Sequence, residues 1–185
     1  MATFIMLPDG IDTSVFNQWL NYGGAAADHT LVDDDTATNS YIFETLRFHE
    51  TTFTLANPSV AEASIDFTED VTVTPKVKAH YTESGATCGM QIQTTGSGIA
   101  NPTSNLTIID DSSFPLYSGA STTTKTFGTD WDYAGLEDAQ IRIRCTGRPV
   151  RNEFLRVSYL YIEVDYTEAE VATVTHNAPF FGTNF

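Results

Sequence analysis

The fold is decided by the stretch Glu153-Phe-Leu-Arg-Val-Ser-Tyr-Leu-Tyr-Ile-Glu-Val-Asp-Tyr166, the longest β-type run of the chain and the most apolar one. Successive side chains of an extended strand point to opposite faces, so its apolar residues divide into two sets. One face carries Leu155, Val157, Tyr159 and Tyr161, and the other carries Leu160, Ile162, Val164 and Tyr166. Because β-branched and aromatic residues disfavour a helix here, the pattern predicts a central strand with cover on both faces.

Shorter strand patterns flank this stretch on its N-terminal side. They fall near residues 3–7, 41–43, 53–55, 64–67, 71–81, 87–93, 105–109, 121–127 and 139–145. Eight to ten short strands at near-regular spacing predict an all-β fold, an antiparallel β-sandwich of jelly-roll type with at most one short helical turn. We expect residues 1–166 to form the sandwich and residues 167–185 an extended tail packed on a neighbouring subunit.

Five local predictions accompany this fold. Residues 8–10, Pro-Asp-Gly, should close the first strand as a turn. Pro75 should place its strand at an edge or a bulge, because proline cannot donate to a sheet ladder. Ser84-Gly85 indicates a hairpin turn. Trp19 is expected to pack in the core, and residues 131–136 to make a corner.

The charge of the chain is strongly acidic. At 185 residues it is one domain by length, and its formal net charge is −15. An acidic surface repels polyanions, so direct nucleic-acid binding is not predicted. Five of the nine basic residues nevertheless fall in one short stretch: Arg142, Arg144, Arg148, Arg151 and Arg156. This patch could meet the acidic part of a neighbouring copy or partner, or it could be a solvated hairpin.

Cysteine usage and the N-terminus bear on the compartment. Cys88 and Cys145 each lie within an apolar alternation without a CxxC motif, so buried free thiols are favoured over a disulfide. Residues 1–7 have no basic region, which argues against a signal peptide. No apolar run approaches the ~20 residues that span a bilayer. We expect a protein that is made in a cytoplasm and has no membrane anchor.

Motifs of catalysis and metal binding are sparse. The four histidines are scattered, and no nucleophile elbow or phosphate-binding loop is present. Asp33, Asp34 and Asp35 are weak candidates for a surface cation site, but they lack the glycine and distal glutamate of a calcium loop, so a solvated acidic turn is favoured. Because carboxylates are plentiful, a glycosidase site with two carboxylates remains an alternative interpretation. The sequence predicts no cofactor and does not predict an enzyme.

Two sets of aromatic residues are candidates for binding. The tail carries Phe180, Phe181 and Phe185, which with Arg148 and Arg151 are the predicted interface with a neighbouring copy or another protein, since an apolar tail must be covered by protein. Candidate loops carry four residues that could stack on a glycan or could pack in the core. They are Tyr22, Tyr117, Trp131 and Tyr133.

The chain as a whole resembles the small jelly-roll virion proteins of tailed bacteriophages, over roughly residues 8–166. The resemblance is carried by Pro8-Asp9-Gly10, Trp19, Asp33-Asp34-Asp35, Tyr41-Ile42, Phe53-Thr54-Leu55, Trp131 ahead of residues 136–143, and the closing strand at residues 157–166. Its most specific parts are the Trp131 corner and the closing strand.

This resemblance implies a structural virion component, either a capsid decoration (cement) protein or a jelly-roll knob of a fibre, often trimeric. Because the resemblance begins within ten residues of Met1, it favours a decoration protein on the outer head surface, with the major capsid protein and copies of itself as partners. The alternative is a carbohydrate- or receptor-binding module of a phage tail, neck or fibre. No nucleic-acid or membrane partner is implied.

Overall fold

The computed structural model describes residues 1–12, 18–21, 29–32, 41–95, 103–123, 131–147, 149 and 152–170. These residues form two antiparallel β-sheets. Sheet A contains β1 (Ala2–Met6), β3 (Leu20–Asn21), β4 (Ile42–Glu44), β6 (Thr72–Tyr81), β9 (Leu116–Ser118), β10 (Thr122–Thr123) and β12 (Leu155–Tyr166). Sheet B contains β2 (Pro8–Ile11), β5 (Glu50–Leu55), β7 (Thr87–Thr95), β8 (Thr103–Ile109) and β11 (Gln140–Cys145). Helical residues lie in α1 (Tyr133–Glu137) and in 3-10 turns at His29–Leu31 and Glu62–Ser64.

The strand pairing is that of a jelly roll. From β4 onward the pairs are nested: β4 pairs with β12, β5 with β11, β6 with β9 and β10, and β7 with β8. From β4 onward the chain changes sheet between successive strands except at the β7–β8 hairpin and between β9 and β10. The prediction of an all-β jelly-roll sandwich is therefore confirmed.

The predicted central strand is confirmed as β12, but the predicted cover on both of its faces is wrong. β12 lies between β6 on one side and β4 and β1 on the other. Its register shifts between Val157 and Tyr159, so that Ser158 is the extra residue of a β-bulge. A one-residue shift reverses the alternation. The core face therefore takes Leu155, Val157, Leu160, Ile162, Val164 and Tyr166, whereas Tyr159 and Tyr161 lie half-buried on the outer face.

The turn predicted at residues 8–10 is wrong, because these residues belong to β2. After Met6 the chain leaves sheet A and pairs with β5 at the edge of sheet B. An edge position with a register irregularity between Pro8 and Gly10 tolerates proline. Gly10 is required by close approach, since a Cβ there would lie 2.6 Å from Thr54 Oγ1.

The hairpin predicted at Ser84-Gly85 is also wrong, although the chain does turn there with Gly85 at φ +73°. β6 and β7 belong to different sheets, so the turn connects the two layers. Both strands direct their apolar residues to the shared core, which a connection between layers permits. The Gly85 N–H donates to Asp110 Oδ2 at 3.1 Å and fixes the turn.

Pro75 lies in a strand with neighbours on both sides, so the predicted edge or bulge is not what the fold uses. β12 pairs along almost all of β6, including Pro75. On the other side of β6, β10 pairs with Thr72 and Val73, and β9 pairs with residues 76–78. Pro75 lies at the gap between these two partners. The Pro75 carbonyl still accepts a bond from the Gly119 N–H at 2.8 Å.

The core between the sheets contains the residues predicted to pack there. Trp19 is fully buried, which confirms its packing role. Cys88 and Cys145 are buried free thiols, as predicted, with their Sγ atoms 4.0 Å apart. The hydrogen bond to Cys88, followed by burial, raises the pKa of Cys145. The corner at residues 131–136 leads into α1, which Asp132 caps by accepting from the Gly135 N–H at 2.6 Å.

The first residues of the predicted tail pack on the sandwich of the same chain. Glu168 forms an isolated antiparallel β-bridge with Ile65. The Asp66 N–H donates to Thr167 O at 2.9 Å, and the Ala169 N–H donates to Ser64 O at 3.1 Å. Residues 171–185 lie outside the described part of the chain. No helix among the described residues has the length and apolar character needed to cross a membrane.

Candidate functional site

The bulge at Ser158 determines which side chains the outer face of sheet A presents. Phe43, Arg156 and His80 form one cross-strand row over β4, β12 and β6. Beyond the bulge, two further rows pair tyrosine with lysine across β12 and β6. They are Tyr159 with Lys78 and Tyr161 with Lys76. Aromatic and cationic side chains therefore alternate along a face of a chain whose net charge is −15.

A pocket of about 150 Å³ lies at the β4 end of this face, lined by Tyr41, Phe43, Phe154 and Arg156. We call it the Arg156 pocket. The rings of Phe43 and Phe154 meet edge to face, with centroids 5.1 Å apart and an interplanar angle of 83°. The guanidinium carbon of Arg156 lies 4.7 Å from the centroid of Tyr41 and 5.7 Å from that of Phe154. Two aromatic rings thus hold the arginine by cation–π contacts.

Arg156 dominates the electrostatics of the pocket. Its Nε is buried and has no hydrogen-bond partner among the described residues. His80 lies opposite Arg156 in the sheet and packs against Phe114, with ring centroids 5.3 Å apart. Burial, and then the positive charge of Arg156, lower the pKa of His80 below 6.5, against the opposing pull of Asp110 and Asp111. At neutral pH His80 is therefore uncharged, and Arg156 carries the positive charge of this row.

A second exposed feature lies on the loop between β4 and β5. Leu46 and Phe48 are 55% and 50% exposed. The guanidinium carbons of Arg47 and Arg144 lie 4.3 and 5.0 Å from the centroid of the Phe48 ring. We call Leu46, Arg47, Phe48 and Arg144 the loop patch. It presents apolar surface with two arginines already stacked on it.

Glu44 holds the loop patch in place from below. This carboxylate is 2% exposed, and its Oε1 accepts from the N–H groups of Thr45 and Leu46 at 2.6 and 2.7 Å. Its Oε2 lies 3.0 Å from His49 Nδ1. Phe48 adopts φ +71°, an unusual conformation for a bulky residue, and its N–H donates to Cys145 O at 2.7 Å. The loop is thus fixed at both ends in the conformation that exposes Phe48.

The predicted arginine patch is divided between two faces of the sandwich. Arg142 and Arg144 lie on the outer face of sheet B, with nitrogen atoms 4.0 and 3.9 Å from the carboxylate of Glu50. Arg156 lies on sheet A. Because β11 and β12 belong to different sheets, arginines close in sequence diverge in space, so a single patch with Arg142, Arg144 and Arg156 is wrong. Arg148 and Arg151 lie outside the described residues.

Of the four residues predicted either to stack on a glycan or to pack in the core, the three that the structure describes pack within the fold. Trp131 is 2% exposed and its indole N–H donates to Thr122 Oγ1 at 2.9 Å, so its predicted stacking role is wrong. Tyr133 donates to Val60 O at 3.0 Å, and the Tyr117 hydroxyl accepts from the Ile109 N–H at 3.1 Å. Both rings pack against the core. Tyr22 lies outside the described residues.

The remaining candidates also fall outside the described part of the chain. These are the acidic turn Asp33, Asp34 and Asp35 and the tail residues Phe180, Phe181 and Phe185. Within the described part, no group of three or more His, Cys, Asp or Glu side chains is arranged to hold a metal ion.

Sequence reasoning missed the Arg156 pocket because it assigned Tyr41, Phe43 and the β12 tyrosines to core strands. The available signal was Arg156 itself, a charged residue inside the most apolar strand of the chain. Comparison with known proteins adds no relative, since no protein-family model and no curated protein matches the chain.

Proposed function

We propose that this chain is a structural, non-enzymatic protein of a tailed-phage virion. Its role would be that of a capsid decoration protein, which binds the outer head surface and stabilises contacts between capsomers. Its partners would be the major capsid protein and further copies of itself, as a homotrimer. The jelly-roll fold and the sequence resemblance support the class of protein, and the loop patch is the observation that carries an adhesive role.

The composition of the loop patch is that of a protein-binding surface. Aromatic residues and arginine are the types that dominate binding energy at interfaces. Phe48 is half exposed, and Arg47 and Arg144 are already stacked on its ring. The bonds from Glu44 order the loop before any partner arrives. Preorganisation lowers the entropy cost of binding, so the loop patch is built to adhere.

The test measures binding of the purified chain to capsids that lack it. Phe48→Ala should weaken binding at least tenfold, because truncating a central aromatic anchor costs about 2 kcal/mol or more. Ile109→Ala is the matched control, since Ile109 is also an exposed apolar residue, at 43%, but lies on β8. Equal binding by the Phe48 and Ile109 variants would remove the loop patch from the proposal.

The tail gives an independent test of the same proposal. A chain without residues 179–185 should stay folded, as judged by its thermal unfolding, and should lose oligomer or capsid binding. Burying one Phe side chain contributes roughly 1.5–3 kcal/mol, and the deleted segment contains three. Unchanged assembly and capsid binding would contradict the proposed role of the tail.

A second candidate function is favoured by the Arg156 pocket. This is a carbohydrate- or receptor-binding module of a phage tail, neck or fibre. Clefts lined by aromatic rings with one charged group are typical of ligand sites. Binding of the purified chain to host cells, lost on Arg156→Gln but not on Phe48→Ala, would favour this function over decoration.

A further inference from the structure

We propose that the Arg156 pocket binds one carboxylate-bearing sugar unit, a uronic or sialic acid residue of an acidic polysaccharide. This inference rests on the receptor-binding candidate above and does not depend on the decoration proposal. It names the chemistry of the ligand from the walls, the charge and the size of the pocket.

The size and walls of the pocket fit a single ring. At about 150 Å³ it is smaller than the roughly 300–1,000 Å³ of sites that enclose drug-sized ligands, so it takes one ring of a polymer whose remainder stays outside. The edge-to-face contact of Phe43 and Phe154 sets their ring planes at 83°, which gives the pocket two apolar walls. The apolar C–H face of a pyranose can lie against either wall.

The positive charge of Arg156 favours a ligand that carries a carboxylate. Arg156 is fixed between Tyr41 and Phe154, and its buried Nε has no hydrogen-bond partner among the described residues. A guanidinium pairs with a planar carboxylate through two parallel bonds, which an ammonium or a hydroxyl cannot reproduce. Since His80 is neutral at neutral pH, the carboxylate of a bound sugar would pair with Arg156.

The face beyond the pocket can carry the neighbouring units of a polymer. Tyr159 and Tyr161 lie next along β12, with ring centroids 4.9 Å apart. Lys78 approaches the Tyr159 ring at 5.9 Å, and Lys76 is paired with Glu163 at 3.1 Å. The two tyrosine rings thus continue in one direction from Arg156 and offer stacking surface to neighbouring sugar units, while the pairing of Lys76 with Glu163 leaves Arg156 as the group that selects the carboxylate.

An extended peptide fits this place less well. Peptides that bind to sheets usually add a strand at a free edge. At the pocket, β4 is already paired with β12 and β3, and β12 with β4 and β6. The ligand must therefore contact the side chains on the face of the sheet and cannot add a strand at its edge. A sugar ring with one carboxylate can bind in this way.

The experiment compares polymers that differ only in the charge of the carboxylate. Binding of the full chain is measured to polygalacturonate, alginate and polysialic acid, and to the methyl ester of each. We expect at least one acid polymer to bind, and esterification of the bound polymer to weaken binding at least tenfold. No binding to any of the acids, or equal binding of acid and ester, would overturn the proposal.

Variants then locate the site. Arg156→Gln should weaken binding at least tenfold, and Arg156→Lys, which keeps the charge without the planar fork, should fall between it and the native chain. Arg142→Gln is the matched control, since that guanidinium also lies on an outer face of the sandwich but on sheet B, 4.0 Å from the Glu50 carboxylate and outside the loop patch. Thermal unfolding verifies the fold of each variant. Should Arg156→Gln bind the polymer like the native chain, the pocket is not the site.

Capsid binding, measured on the same variants, separates this inference from the decoration proposal. Loss of capsid binding in Arg156→Gln, with no acid polymer bound by the native chain, would make the pocket a protein contact and overturn the sugar assignment. Loss of capsid binding in Phe48→Ala alone leaves the sugar site supported by its own measurements.

Discussion

The outer faces of the two sheets cover the same core and differ in almost every side chain. The face of sheet A carries aromatic rings and charged groups of both signs, among them Arg156, Lys76 and Glu163, whereas that of sheet B carries cross-strand rows rich in hydroxyl and amide groups. Its rows are Thr54, Gln140 and Thr95; Thr52, Arg142, Gln93 and Thr103; and Glu50, Arg144, Gln91 and Asn105. These side chains bond one another, as Gln91 Nε2 does to Asn105 Oδ1 at 2.9 Å. Several polar groups of the sheet B face thus bond within that face, whereas the sheet A face carries the Arg156 pocket.

A single residue accounts for much of this difference. β11 alternates without interruption, so its apolar residues all face the core and its polar residues all face outward. β12 contains the bulge at Ser158, after which Tyr159 and Tyr161 point away from the core. The position of a binding face on a jelly roll can therefore depend on where the alternation is broken, as well as on which residues are present.

Deletion of Ser158 should have the largest effect on stability. Without the extra residue, either Leu155 and Val157 or residues 160–166 must leave the core. Each buried aliphatic side chain contributes roughly 1.5–3 kcal/mol, so we expect a loss of at least about 3 kcal/mol. Urea denaturation followed by tryptophan fluorescence measures it. Ser158→Ala is the control, because the buried hydroxyl has no partner among the described residues, and should cost less than about 1 kcal/mol. A deletion variant with an unchanged midpoint would refute the role of the bulge.

Glu44→Gln should have the next largest effect, because it weakens the bonds that hold the loop patch. Hydrogen bonds to a buried carboxylate contribute about 1.5–3 kcal/mol, so a loss of about 2 kcal/mol is expected. Glu163→Gln is the comparison on the face of sheet A, where a partly exposed pair with Lys76 should contribute less than about 1 kcal/mol. Chemical denaturation measures the loss of stability in both variants. Equal losses of stability would contradict the role of Glu44.

Acidification should destabilise the face of sheet A through His80. The pKa of His80 is lowered in the folded chain, so the unfolded chain takes up a proton first as the pH falls through 6.5. The native chain should therefore lose stability relative to His80→Gln between about pH 7 and pH 5. Urea midpoints of both chains across this range test it. A native chain that gains stability on acidification would show that Asp110 and Asp111 outweigh burial and Arg156.

Gln91→Ala on the face of sheet B should have the smallest effect. Gln91 bonds Asn105 at an exposed position, and such surface changes usually stay within about 0.5 kcal/mol. Denaturation midpoints and polysaccharide binding should both match those of the native chain. A large loss of stability or of polysaccharide binding would show that the outer face of sheet B contributes to that property.

The sequence predicts those parts of the fold that depend on local alternation. The strands near residues 71–81 and 139–145, the central position of β12 and the burial of Trp19 and both cysteines all follow from which residues are apolar and how they are spaced. Pairing between strands is non-local, which is why the sequence predicts a hairpin at Ser84-Gly85 although the strands on either side belong to different sheets. The bulge leaves no trace in composition, because serine suits either face, and the outward position of Tyr159 and Tyr161 depends on that bulge.

Imaging of intact particles by electron cryomicroscopy tests the central claim most directly. We expect jelly-roll density for this chain on the outer surface of the head, with the loop of Phe48 turned towards the shell. Density for the chain at the tail tip, or its absence from purified particles, would contradict the decoration proposal.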